Sequence, residues 1–229
     1  MVAIFVALMF ILLVLVDLTL EKWRVRHADA ELQKARRAGS RAADVSVWRQ
    51  LPEGVYLSAG HAWLKPDPTG GIEMGGDAFL AHIVGKIHHV ELPKVGSHVR
   101  AGQPLFRLEH AGRSIAVPAA VSSRILATNS RLQDHPDWVR VEPYGLGWIC
   151  YVVPTNRDAQ ALPSGQRAIH WLENEMTRFR DFLSAHALPD LALGTTHLDG
   201  GMPAADCLGE LDAPVWTAFE REFLHRASD

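Results

Sequence analysis

Between about Leu51 and Thr155 the sequence is cut into short β-type runs, each bounded by turn residues, so this stretch can only form a small domain of many brief strands. The runs are Val55-Tyr-Leu57, His82-Ile-Val84, Ile87-His-His-Val-Glu-Leu92, Pro104-Leu-Phe-Arg-Leu108, Ser123-Arg-Ile-Leu126 and Trp148-Ile-Cys-Tyr-Val-Val153. Pro66-Asp-Pro-Thr-Gly-Gly71, Pro93-Lys-Val-Gly96 and Gly102-Gln-Pro104 separate them. Branched and aromatic side chains suit a pleated surface, whereas proline lacks a ladder donor and glycine opens the left-handed conformations that tight hairpins need. The expected fold class is mainly β.

The flanks read differently. Val2 to Val16 is uncharged and almost wholly apolar, and the stretch reaches Leu20 with one acid, Asp17. Nineteen such residues suffice to cross hydrocarbon, so residues 1–20 are expected to be a transmembrane anchor. No basic residue precedes the run and no small-residue exit follows it, which argues for an uncleaved anchor over a signal peptide. Lys22, Arg24, Arg26, Lys34, Arg36, Arg37 and Arg41 all follow it, which places the soluble part on the cytoplasmic side of the membrane. Residues 21–50, rich in Ala, Arg, Glu, Lys and Gln, read as a charged helical stalk.

After the β-rich domain, 51–155, residues 156–229 read as a helical and acidic C-terminal extension. Ile169, Leu172, Met176, Phe179 and Leu183 alternate at three and four residues, which predicts an amphipathic helix over 163–187 that covers the β-domain or meets another chain. From Leu188 onward eight acids face two arginines, and Asp212 is a candidate N-cap for a short helix bearing Trp216, Phe219 and Phe223. Aromatic anchors set among charges suit docking into another protein, so these three are the candidate partner-binding residues.

Charge and composition exclude several functions. The net charge is −3 with no basic face in the body of the chain, which argues against nucleic acid. Cys150 and Cys207 are far apart and match no zinc or haem spacing; the first is expected buried in a strand and the second exposed in the acidic tail. His61, His88, His89 and His110 invite a metal hypothesis, but neighbours on a strand point to opposite faces and no ligand set converges. No serine has a nucleophile-elbow context, and Glu109-His110 is expected to be solvated surface. No metal, cofactor or small-molecule substrate is therefore expected, and the chain is expected not to be an enzyme.

One family accounts for the order of the motifs. Gly85-Lys-Ile-His-His-Val-Glu-Leu-Pro-Lys-Val-Gly96 is preceded by Tyr56-Leu-Ser-Ala-Gly-His61-Ala-Trp63 and followed by Gly102-Gln-Pro-Leu-Phe, Val121-Ser-Ser-Arg-Ile-Leu-Ala-Thr-Asn129, Leu132-Gln-Asp-His-Pro136 and Val141-Glu-Pro-Tyr-Gly-Leu-Gly-Trp148-Ile. In this order they resemble glycine cleavage H-proteins over about residues 54–155. The resemblance implies a lipoyl-type flattened β-barrel whose activity rests on one lysine at a hairpin tip, the attachment point of a lipoyl arm. In the family that lysine closes a Glu-Ser-Val-Lys pattern; the same register here gives Glu109-His-Ala-Gly112, followed by Arg113. Gly112 thus occupies the family's lipoyl-lysine position. The five lysines, Lys22, Lys34, Lys65, Lys86 and Lys94, all lie well upstream, and Arg113 cannot accept the acyl group because a guanidinium stays protonated.

These readings lead to a non-lipoylated interaction or scaffold subunit at the cytoplasmic face of a membrane, with the bilayer and other subunits of a membrane complex as partners. An accessory binding protein in lipoyl or acyl-carrier metabolism is one alternative. An envelope adaptor of the membrane-fusion type is another, although the long coiled-coil hairpin it requires has no counterpart in the sequence.

Overall fold

Nine short strands form two antiparallel sheets in the computed structural model, which describes residues 51–110, 112–155, 162–186 and 206–225. The first sheet takes the order β1 (Tyr56–Leu57), β2 (Ala62–Pro66), β3 (Ile72–Gly76), β9 (Cys150–Pro154), β8 (Ser123–Thr128) and β5 (His98–Val99). The second takes the order β4 (His89–Glu91), β6 (Pro104–His110) and β7 (Arg113–Pro118). Register fixes which face is buried: Ile72 lies opposite Val152 and Val152 opposite Ile125, a cross-strand row that is entirely interior. One row along, Glu73, Tyr151 and Ala127 reach solvent or the half-buried rim.

Part of the expected β texture is helical. His82-Ile-Val84 reads as a strand, yet it lies in helix α1 (Ala78–Val84). The Asp77 carboxylate caps this helix by accepting from the Leu80 amide at 3.0 Å, and Gly85 ends it at φ +72°. Every residue of α1 is buried, so no polar stripe exists to separate a helix from a strand by periodicity. A single helical turn, α2 (Trp138–Val141), follows β8, and the Asn129 side-chain amide donates to the carbonyls of Leu146 and Trp148 at 2.8 and 2.9 Å, holding the turn that feeds β9.

The expected amphipathic helix is α3 (Gly165–His186). Ala168, Leu172, Met176, Phe179, Phe182 and Leu183 are buried and Ile169 is half-buried, so the three-four stripe faces the chain's own core. The C-terminal segment joins it. Helix α4 (Ala213–Phe219) begins at Asp212, whose carboxylate accepts from the Val215 amide at 3.0 Å, and it runs on into a π-turn over Glu220–Leu224. Phe219 and Phe223 stack with centroids 5.1 Å apart, and Phe223 lies 5.7 Å from Phe179, 5.5 Å from Phe182 and 5.9 Å from Phe79. Trp216, Phe219 and Phe223 are 5, 0 and 2% exposed. The expectation that they anchor another protein is thereby corrected. Each buries against this chain: Phe219 and Phe223, four residues apart on one face, meet α3, Phe223 also meets α1, and Trp216 packs beside Arg113 of β7.

The described residues belong to one compact unit, and residues 162–186 and 206–225 of the extension pack onto the β-domain. Among the described residues no helix is long and apolar enough to cross a membrane; the anchor expected over 1–20 and the stalk over 21–50 lie outside the described residues.

Candidate functional site

The β6–β7 hairpin is the place the sequence singles out. Its strands pair from Pro104 with Pro118 to His110 with Arg113, and Gly112 lies at the tip between them. Gly112 is exposed at φ +76°, and a β-carbon there would meet nothing within 4 Å. The tip therefore demands glycine for its backbone conformation and leaves space around it.

The flanks of the tip are covered by residues 206–225. His110, expected at the solvated surface, is 7% exposed, which corrects that reading. Its Nδ1 donates to the Lys86 carbonyl at 2.5 Å, and its Nε2 is 3.0 Å from the Asp206 carboxylate. The close approach of that segment shows in two glycines. A β-carbon on Gly209 would fall 2.4 Å from His110 Nε2, and one on Gly85 would fall 2.3 Å from the Asp206 side chain. Across the hairpin, the Arg113 guanidinium donates to the Leu211 carbonyl and lies 5.3 Å from the Trp216 ring centroid. Asp206 was not a candidate from the sequence, and nothing in the spacing of residues 96 positions away from His110 could have named it.

The four histidines do not converge. His88 and His89 are exposed, and the His88 ring centroid is 5.8 Å from that of His110. His61 is fully buried elsewhere, at φ +61°, stacked 4.2 Å from Phe79. Its Nδ1 is 2.8 Å from Asp77 and its Nε2 is 3.8 Å from Glu175, the latter too long for a hydrogen bond. Glu175 in turn accepts from Arg178 at 2.5 Å, and Arg178 reaches the Glu222 carbonyl at 3.1 Å and lies 4.6 Å from the Phe223 ring centroid. This chain of contacts joins the β1–β2 turn, the α1 cap, α3 and the C-terminal π-turn. It is a tie within the core, where paired polar groups are tolerated because their partners are local. Among the described residues no group of three or more His, Cys, Asp or Glu side chains could hold a metal ion.

Both thiols are buried, which corrects the expectation for Cys207. Burial pushes the Cys150 thiol up to about 12, and burial with the nearby Glu210 and Asp206 charges pushes Cys207 up to about 12. A groove of about 630 Å³ opens at the far end of the hairpin from Gly112, lined by Ser58, Gly60, Gly102, Pro118, Trp171 and His225.

The family profile described as "Glycine cleavage H-protein" matches residues 55–175, just over half of the chain. The chain belongs to the glycine cleavage H-protein family. The match runs past Thr155 into α3, so the H-protein core includes the start of that helix. Among relatives, "Glycine cleavage system H protein 2" of Aquifex aeolicus is 30% identical over 131 residues, 56% of this chain and 81% of its own length. A "Probable glycine cleavage system H protein" of Pyrococcus abyssi is 31% identical over 111 residues, 48% of this chain and 82% of its own. Among solved structures, the H protein of Mycobacterium marinum aligns with a TM-score of 0.48 at 26% identity, over 53% of this chain and 98% of that one.

Proposed function

We propose that the chain is an H-protein-type binding module without a lipoyl arm, tethered to a membrane through residues 2–20 and joined on the cytoplasmic side to other subunits of a membrane complex. The observation that carries the first half is the hairpin tip. Gly112 stands there, exposed and at φ +76°, and offers no amine to acylate. The Lys86 carbonyl accepts from His110 on the hairpin, yet Lys86 lies in the link between α1 and β4 and not on the turn. The C-terminal segment supports the same reading, because Asp206, Gly209, Leu211 and Trp216 occupy both flanks of the tip that an arm-bearing domain would keep free. A fold that keeps its shape after losing its attachment group retains surfaces for docking, and docking is then the function left to it.

The tether rests on the apolar run Val2–Val16 and the basic residues that follow it. Solubilisation of native membranes in a mild detergent, followed by capture of the chain, tests the assembly. The chain is expected in the membrane fraction, accompanied by integral membrane subunits in fixed ratio. Recovery as a soluble chain without companions contradicts the proposal; companions drawn from lipoyl or acyl-carrier metabolism favour the accessory reading instead.

A further inference from the structure

A module that works by docking needs an open surface, and the flanks of its hairpin are occupied by its own C-terminal segment. Three large apolar side chains are exposed among the described residues: Val95 at 54%, Leu126 at 43% and Val153 at 41%. Strand register gathers them at one edge of the larger sheet. Val153 lies opposite Arg124, and Arg124 opposite His98. Leu126 falls in the register shift between Ile125 and Ala127, two residues along from Arg124 and exposed like it. The turn bearing Val95 is pinned beside it, because the Gly96 amide donates to the Ile125 carbonyl and the Ile125 amide to the Ser97 carbonyl, each at 2.9 Å.

Basic side chains gather around these three. Lys94, His98, Arg100 and Arg124 are exposed, and residues 92–103, 121–129 and 149–155 contain no Asp or Glu. Of the described acids flanking these segments, Glu91 is paired with Arg107 at 3.5 Å on the other sheet. Glu73 pairs in register with Tyr151 and with Lys65, and the Asp67 carboxylate is taken up by Thr69 and Tyr151. On a chain of net charge −3, this edge is a local reversal.

We infer that the β5–β8–β9 edge rests on an anionic bilayer surface, its cations at the headgroup phosphates and Val95, Leu126 and Val153 at the acyl boundary. The combination is the one such surfaces select, because separated apolar residues bind weakly alone and cations near anionic lipid add to them. An acidic protein segment would satisfy the charges as well. The tether through residues 2–20, on which the inference rests, favours lipid, since a domain covalently joined to an anchor meets the bilayer at high effective concentration.

The full chain carrying Leu126→Cys, labelled with an environment-sensitive fluorophore, provides the test; Cys150 and Cys207 are buried and leave the label to position 126. The chain is reconstituted in vesicles of phosphatidylcholine alone and of equal parts phosphatidylcholine and phosphatidylglycerol. Flotation with both vesicle types, a blue shift only in the anionic ones, and reversal of that shift by salt are expected. Adding Arg124→Gln or Lys94→Gln should lower the bound-to-free ratio roughly fivefold for each cation removed. A chain that floats with both vesicle types and reports the same environment in each overturns the inference while leaving the tether intact, and assigns the edge to an acidic protein. A chain that floats only with anionic vesicles overturns the tether and keeps the edge.

Discussion

Cys150 and Cys207 are separated by more than fifty residues, yet they share one chemical fate, because burial withholds each thiolate from water. At mildly alkaline pH a thiol reagent should modify neither cysteine in the folded chain and both in denaturant; reaction of either in the native state contradicts the burial. The linkage has a definite sign. The ordinary thiol value is 9.0 and the folded values lie near 12, so below pH 9.0 both states hold the protons and stability is indifferent to them. As pH rises from there the unfolded chain sheds protons that the folded chain keeps, and stability falls. Gly112→Lys tests the hairpin at the same scale. It should fold with a penalty of about 1 kcal/mol, because the side chain has room but the left-handed backbone favours glycine. The variant should also gain no lipoyl group from a lipoylating enzyme, since His110, Ala111 and Arg113 replace the family's flanking residues and the C-terminal segment covers two of them; a mass gain would show that the fold alone suffices for recognition. Position 112 was legible in the sequence through its register in the motif. His110 and Cys207 were not, because their burial comes from the mutual packing of segments about a hundred residues apart.

At the scale of elements, periodicity worked where one face is wet. Helix α3 announced itself through Leu172, Met176, Phe179 and Leu183. Helix α1, buried all round, did not: its His82-Ile-Val84 reads as a strand, although the Asp77 cap and the Gly85 stop bracket a helix. Helix α4 failed differently. Its aromatic face is real, but an aromatic face reads the same whether it docks in the same chain or in another. That packing makes the last segment part of the core. Removal of residues 206–229 takes Leu208, Leu211, Trp216, Phe219, Phe223 and Leu224 from the core, so the β-domain should lose cooperative unfolding, measured by circular dichroism in denaturant. Phe223→Ala alone should cost about 3–5 kcal/mol, since its ring meets four other phenylalanines; a loss below about 1 kcal/mol would mean that the segment is only loosely seated.

For the whole molecule, the order of H-protein motifs and the turn glycines point to the mainly β, lipoyl-like fold, and the sequence carries both, whereas the register that pairs β2 with β3 and β6 with β7 is visible only in the structure. What the sequence also withheld is the use of the last segment, whose described residues close the fold around the hairpin flanks. The central claim is that this is an H-protein fold without its arm. Intact-mass spectrometry of the full chain, purified from cells with an active lipoylation system, tests it most directly. The account predicts the mass of the unmodified sequence, with no lipoyl adduct on any of Lys22, Lys34, Lys65, Lys86 or Lys94. A stoichiometric lipoyl adduct, above all on Lys86 beside the hairpin, would contradict it.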